Sequence, residues 1–392
     1  MEIATLPVQQ EKIDMWKALN AGNMTRPMVV IDQLPWHELG FDALCAGDPF
    51  WQDIEKHLRQ TLYKWEHFPA DMVVEPFIPI PMAISGQNYG IAVQEEQLAA
   101  DPNSHVVSHH YENQLQEEAD VAKILDMRMA HDQAQTNLRL EAAQELFDGI
   151  IPVRARGVSF DLALWDTLAK LMGVEDIYFD LVDRPEFIHK IMRRMTDAAL
   201  AGIKQAGELN VCNSDANTCH CSYIYTDELL PGPGEGRGYQ SPDCWAYGMA
   251  QLFTSVSPET TKEFELPYIQ ELASHFGGIY YGCCDRLDDR MDLVLQIPNI
   301  RKISCSPWSD RDVFAEKIGK KLVMSSKPSP AVLAGASVDY DEVKKDLRHT
   351  MEAARRYGVN LEIILKDLST VQYKPERLAE WNRIAMGVVV GG

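Results

Sequence analysis

The sequence has 392 residues, 37 Lys and Arg against 58 Asp and Glu, a formal net charge of −21, and 46% hydrophobic residues. That composition is globular and excludes a disordered chain. The acidity excludes sequence-independent binding to nucleic acid or anionic lipid, which carry charge of the same sign. No window reaches about 18 uninterrupted apolar residues, so no membrane span is expected. The opening stretch from Met1 to Trp16 lacks the basic-then-apolar pattern of a signal peptide. The eight cysteines therefore read as reduced thiols in a cytoplasmic protein, where they can serve a metal.

In chain order, the first third reads as helical with loops. Trp51, Ile54, Leu58, Leu62 and Trp65 recur three or four apart and draw one apolar stripe down a helix. A polar helix is expected over 117–130, with a thin apolar face. Residues 1–65 are expected to form a mainly helical N-terminal extension, and 66–392 a single β/α domain. From there, short apolar or β-branched runs recur at 71–75, 149–153, 209–212, 278–281, 300–305, 321–324 and 361–365. Helical stretches separate most of them: 160–172 stopping at Gly173, one opened by Asp183 and Pro185, and 339–357 ending at Gly358. Strands alternating with helices imply a parallel sheet. Seven candidates and one more easily missed make a (β/α)8 TIM barrel the economical α/β fold. A doubly wound sheet is the alternative, but no G-x-G-x-x-G follows a strand. Between Tyr225 and Trp245 the run Pro-Gly-Pro-Gly-Glu-Gly-Arg-Gly at 231–238 reads as an active-site loop or lid, with a surface excursion as the alternative.

Three cysteine groups compete as sites. Cys219-His220-Cys221 is the weaker metal candidate, because His220 in an extended segment would point away from its neighbours. Cys45 and Cys244 read as small apolar fillers. Cys283-Cys284 and Cys305 follow strand-like runs, and catalytic residues of barrels sit at the C-terminal ends of strands. Cys284 and Cys305 would then stand on consecutive strands about 5 Å apart, suited to two thiolates on one zinc ion. Neighbours on a strand face opposite ways, so only one of the adjacent pair is expected at the site, with Cys283 either a bystander or a supporting neighbour of the ligands. A catalytic zinc site needs a third protein ligand; Glu263, on the helix opened by Ser257-Pro258-Glu259, is the candidate, with a solvated helix residue as the alternative.

Glu263, Cys284 and Cys305 make an E-x20-C-x20-C pattern. It resembles the zinc motif of the ether-cleaving methyltransferases, the first components of corrinoid-dependent O-demethylase systems acting on phenyl methyl ethers such as vanillate or veratrol. Ser257 to Tyr268 resembles the helix signature of the uroporphyrinogen decarboxylase superfamily, a β/α-barrel group that includes zinc-dependent corrinoid methyltransferases. Tyr281-Gly-Cys-Cys-Asp285 takes the place of that superfamily's H-x-C-G strand end without its His. Leu365-Lys-Asp-Leu-Ser-Thr370 stands where a late cysteine would fall. These departures argue against coenzyme M as acceptor. The superfamily resemblance covers roughly 60–390, most sharply 257–305, and is compatible with a homodimer.

The resemblance implies a zinc enzyme with Glu263, Cys284 and Cys305 as ligands, an aromatic methyl ether as substrate, and cob(I)alamin on a partner corrinoid protein as acceptor. Zinc would stabilise the developing phenolate as a Lewis acid. Three anionic ligands weaken that acid, so a proton donor is expected from Tyr223, Tyr225 or Lys366. Trp308 would stack on the substrate ring or fill the core. Two alternatives stand beside this reading. One is a metal-independent uroporphyrinogen decarboxylase-like lyase, whose polycarboxylate substrate calls for an arginine-rich cleft where 21–28 offers Arg26 alone. The other is a non-catalytic barrel that binds a corrinoid protein.

Overall fold

The computed structural model describes residues 1–40, 44–45, 47–98, 107–213, 217–229 and 238–391. Seven parallel strands form the central sheet: β1 Met28–Ile31, β2 Phe160–Asp161, β3 Trp245–Gly248, β4 Gly278–Tyr281, β5 Ile300–Cys305, β6 Val323–Ser326 and β7 Asn360–Leu365. Their order is β1-β7-β6-β5-β4-β3-β2, so the first strand of the chain lies beside the last. At one edge a parallel bridge joins Val158 to Cys212 beside β2; at the other the Asp71 N–H donates to the Val29 carbonyl. Helices cover the outside, and the fold is α/β and TIM-barrel-like. Among the described residues no helix is long and apolar enough to cross a membrane.

Successive side chains of a strand alternate between the two faces of a sheet. Val29, Ile31, Ile279, Ile303, Ile363 and Leu365 face the helices in one large apolar layer. Met28, Val30, Tyr280, Val323 and Ile364 face the interior in a smaller cluster. β1 and β4 are apolar throughout because both their faces are covered. β5, β6 and β7 instead turn Lys302, Ser304, Ser325 and Glu362 into the interior, where each has a hydrogen-bond partner.

The expected strands at 278–281, 300–305 and 361–365 are present almost to the residue, and 321–324 is displaced to Val323–Ser326. Helices follow Pro185 and Asp339 as read. Asp339 accepts from the N–H groups of Asp341 and Glu342, and Gly358 ends the second helix at φ 68°. Other elements differ. The helix expected from Phe160 begins only at Leu164, because Phe160 and Asp161 pair with β3. Val153–Arg156 pairs with Ile78–Pro81 away from the main sheet, and 209–212 shrinks to the Cys212 bridge. Segment 71–75 forms no ladder. The polar helix over 117–130 reduces to a 3-10 turn, Glu118–Lys123, since its thin apolar face has too little to bury. The N-terminal segment holds the helices Pro7–Asn20 and Pro49–His67, and it also supplies β1 to the sheet. Residues 231–237 of the Pro/Gly loop lie outside the described residues.

One buried carboxyl ties a helix to the sheet. Glu265 accepts from the Tyr281 hydroxyl at 2.9 Å, and burial raises its pKa to about 8, with Asp166 and Asp285 adding to the rise. Folded chain thus keeps a proton that unfolded chain loses near pH 4.5. That contribution to stability is full below about pH 4.5 and is lost as the pH rises through about 8. Glu265→Gln keeps the acceptor for Tyr281 and should flatten that decline. Urea denaturation from pH 5 to pH 8.5 checks it, and parallel curves for the two proteins would refute the assignment.

Candidate functional site

The three residues of the spaced pattern do not meet. Glu263 lies on the outer helix Pro258–Phe264, its side chain 60% exposed and its carboxylate 3.8 Å from His189 Nε2. Cys305 ends β5 and is buried in the helix-facing layer. Alternation is the reason: Ser304 points inward, where its hydroxyl donates to the Cys283 carbonyl at 2.7 Å, so Cys305 points outward. Cys284 alone of the three reaches the barrel mouth.

Cys283, Cys284 and Asp367 gather there instead. Among the described residues, they are the group of three metal-ligating side chains whose ligand atoms all lie within 4.8 Å of one another. Both cysteines reach the mouth because the strand stops short of them. β4 ends at Tyr281, and Gly282 takes φ 89°, where a Cβ would also meet Leu287 Cδ1 at 2.7 Å. That kink cancels the alternation expected for adjacent residues. Asp367 enters from across the mouth, after β7, and accepts from Cys284 Sγ at 3.0 Å. Lys366 Nζ donates to Cys283 Sγ at 3.1 Å and to Asp367 Oδ2 at 2.6 Å. Hydrogen bonding from Cys284 pulls the Cys283 thiol far below its usual range against the effect of burial, with His220 and Lys366 assisting. The same bond, together with burial, pushes Cys284 up. Burial would lower Lys366, but the neighbouring thiols and Asp367 outweigh it and raise its pKa. Of the two thiols, Cys283 is therefore the one whose charged form the mouth favours, beside the Lys366 ammonium.

The segment set aside as the weaker candidate completes the cluster. Thr218–Cys219 pairs antiparallel with Ser222–Tyr223, so His220 sits on a hairpin turn, at φ 53°. Its ring stacks on Tyr247 at 4.1 Å and 3°, and Nε2 lies 3.6 Å from Cys283 Sγ. Burial lowers its basicity, but Cys221 and Cys283 more than reverse this and raise its pKa to about 9. Cys221 accepts from Lys327 Nζ at 3.2 Å, and Lys327 also holds Ser325 at 2.8 Å. Cysteine and histidine in adjacent positions were the available signal; the turn that aims them was not legible.

Below this layer, Lys302 fixes the hairpin to the barrel. Its ammonium donates to Ser222 Oγ at 2.7 Å, the Tyr223 carbonyl at 2.9 Å and Glu362 Oε2 at 2.6 Å. Neither Lys302 nor Glu362 contacts solvent.

A cavity of about 890 Å³ opens beside the cluster, with Val30, Met72, Val73, His220, Cys221 and Tyr223 on its wall. The two tyrosines expected as proton donors are engaged. Tyr223 OH accepts from the Val73 N–H at 3.0 Å, and Tyr225 donates to Glu75. Burial raises both phenols. Trp308 is 70% exposed and lies outside the cavity wall. Arg26 makes a two-pronged pair with Asp71 at 2.6 and 2.9 Å, which leaves it committed to the fold.

No family model matches the chain, and no curated protein matches it in sequence. Among solved structures it is similar to a methyltransferase from Methanosarcina mazei, with a TM-score of 0.52 at 11% identity. The match covers 95% of this chain and 98% of that one. At this identity the likeness establishes the fold over nearly the whole length.

The Lys302–Glu362 pair gives a sharp test of how the hairpin is held. Lys302→Met leaves a buried carboxylate without its cation and should cost about 3–5 kcal/mol. The double variant Lys302→Met, Glu362→Leu should recover most of that loss in urea denaturation. A single-variant loss below about 1 kcal/mol would show the pair to be no stronger than a surface contact.

Proposed function

We propose that the chain is a zinc-dependent methyltransferase that moves a methyl group from a phenyl methyl ether, vanillate- or veratrol-like, to the cob(I)alamin of a corrinoid protein. The observation that carries this reading is the thiol and carboxylate group at the mouth of a TIM-barrel-like fold shared with a solved methyltransferase. Two cysteines and an aspartate suit zinc, whose catalytic sites take three protein ligands and keep a fourth position open. Cys283, Cys284 and Asp367 would hold the ion in place of the Glu263, Cys284 and Cys305 set. Zinc bound there supplies Lewis acidity toward an ether oxygen, the property a poor phenolate leaving group calls for.

The chain's own residues do the rest. Lys366, kept as an ammonium by its neighbours, holds the charge of Cys283 and orients Asp367 through the bonds described above. His220 faces both the cavity and the thiols, so it is the group placed to hand a proton to the departing phenolate. Tyr223 shapes the cavity wall. The lyase alternative loses ground because Arg26 is bound to Asp71 and unavailable to a polycarboxylate.

Metal analysis of the purified protein is the test. About one zinc per chain is expected, lost from Cys283→Ala, Cys284→Ala and Asp367→Asn but retained in Glu263→Gln and Cys305→Ala. Retention in the first set with loss in the second would restore the spaced trio as ligands. Metal-free protein that releases the phenol from vanillate in the presence of cob(I)alamin would sink the zinc reading altogether.

A further inference from the structure

The thiols of the barrel do not all face the same space. Cys221 and His220 lie on the wall of the cavity of about 890 Å³, together with the apolar Val30 and Val73. Cys283, Cys284 and Asp367 are not on that wall. Cys219, two residues earlier on the hairpin, is buried and also off the wall. Among the described residues, a small molecule in the cavity therefore meets one thiol, that of Cys221.

Cys221 differs from Cys219 in its cation. Lys327, only 3% exposed, directs its three donors to Cys221 Sγ at 3.2 Å, Ser325 Oγ at 2.8 Å and the Tyr280 hydroxyl. None of these is a carboxylate, and Glu362, whose charge also reaches Tyr280, is taken by Lys302. A buried ammonium needs a counter-charge. Burial raises the Tyr280 phenol, and Cys221 adds to the rise, which leaves the Cys221 sulfur as the seat of negative charge. Burial works against that charge, but Lys327 and then His220 outweigh it and lower the Cys221 pKa. Burial raises the Cys219 thiol instead. An accessible thiol beside a cation is the condition for a reactive one.

We infer that Cys221 is a second reactive centre, separate from the metal group, which accepts a methyl group from a donor bound in the cavity and carries it as S-methylcysteine. A sulfur electron pair forms the bond to the methyl carbon as the bond from that carbon to the donor's oxygen breaks. The broken bond's pair leaves with oxygen, which His220 protonates. The thioether is neutral, so Lys327 is left buried without its counter-charge. That penalty makes S-methylated Cys221 a better methyl donor than an ordinary thioether. On onward transfer Cys221 recovers the carbon–sulfur pair and the ion pair with Lys327. The new bond is made with the electron pair of the acceptor, cob(I)alamin in the reading above. The inference rests on the methyl-transfer reading for its donor and acceptor, and on the Cys221–Lys327 geometry for its nucleophile.

The full chain is incubated without cob(I)alamin, either with methyl iodide or with vanillate carrying a deuterated methyl group, and methylated cysteines are located by peptide mass spectrometry. Methyl iodide should modify Cys221 and leave Cys219 untouched, a contrast that needs no variant. Lys327→Met should slow the Cys221 reaction about tenfold or more, and Lys327→Arg should keep most of the rate. An unmodified Cys221, or equal modification of Cys219 and Cys221 in wild type, overturns the nucleophile. Vanillate should pass its deuterated methyl group to Cys221, and cob(I)alamin added afterwards should clear it. Methylation by vanillate that cob(I)alamin does not clear upholds the nucleophile and ends the corrinoid reading. Phenol release with cob(I)alamin at an undiminished rate in Cys221→Ser does the reverse: it overturns the carrier and keeps the corrinoid reading.

Discussion

Lys302 and Glu362 meet inside the barrel, 2.6 Å apart and closed to water, with the Trp16 ring 5.2 Å from the ammonium. A charge in such a place needs its counter-charge and its hydrogen bonds, since desolvation otherwise costs more than the fold can spare. The remaining donors of that ammonium go to Ser222 and Tyr223 on the hairpin. One cation thereby joins β5, β7 and a segment that has almost no backbone pairing of its own. The position of His220 and Cys221 above the barrel follows from that junction.

The same strand geometry separates structural from chemical side chains. From Lys302 onward, odd-numbered residues of β5 face the helices and even-numbered ones the interior, while a register shift before it leaves Ile300 on the helix side. Ile303 and Cys305 therefore pack, while Lys302 and Ser304 bond. At the mouth, Lys327 and Lys366 each lie within about 3 Å of a sulfur. A protein with a strong negative net charge thus keeps positive charge where its thiols collect, and that is the electrostatic condition for a thiolate.

Several of these features were legible in the sequence. The runs at 278–281, 300–305 and 361–365 marked strands, and strand ends located Cys284 and Lys366 at the mouth. Cys305 was misleading because spacing along the chain does not give the parity of a strand, and one residue changes the face. Glu263 failed for the helical equivalent of that reason: two positions on, Glu265 is the residue that turns inward to Tyr281. β3, Trp-Ala-Tyr-Gly, carries none of the β-branched residues by which strands are recognised. Cys283 depended on the left-handed Gly282, and His220 on a turn at positive φ, neither of which periodicity encodes. Asp367 stood directly after a recognised strand, but nothing in its surroundings distinguished it from a solvated acid.

The hairpin at 218–223 has two paired positions on each strand, far fewer than the ladders of the sheet. Burial and side-chain bonds hold it instead: Cys219, Cys221, Ser222 and Ile224 are buried, Lys302 bonds Ser222 and Tyr223, and Lys327 bonds Cys221. The cluster at the mouth consequently has halves held by different means. Cys283, Cys284 and Asp367 follow directly from the strands β4 and β7 and take their places from backbone ladders. His220 and Cys221 take theirs from two buried lysines, so a change at either lysine reaches the imidazole and its neighbouring thiol together.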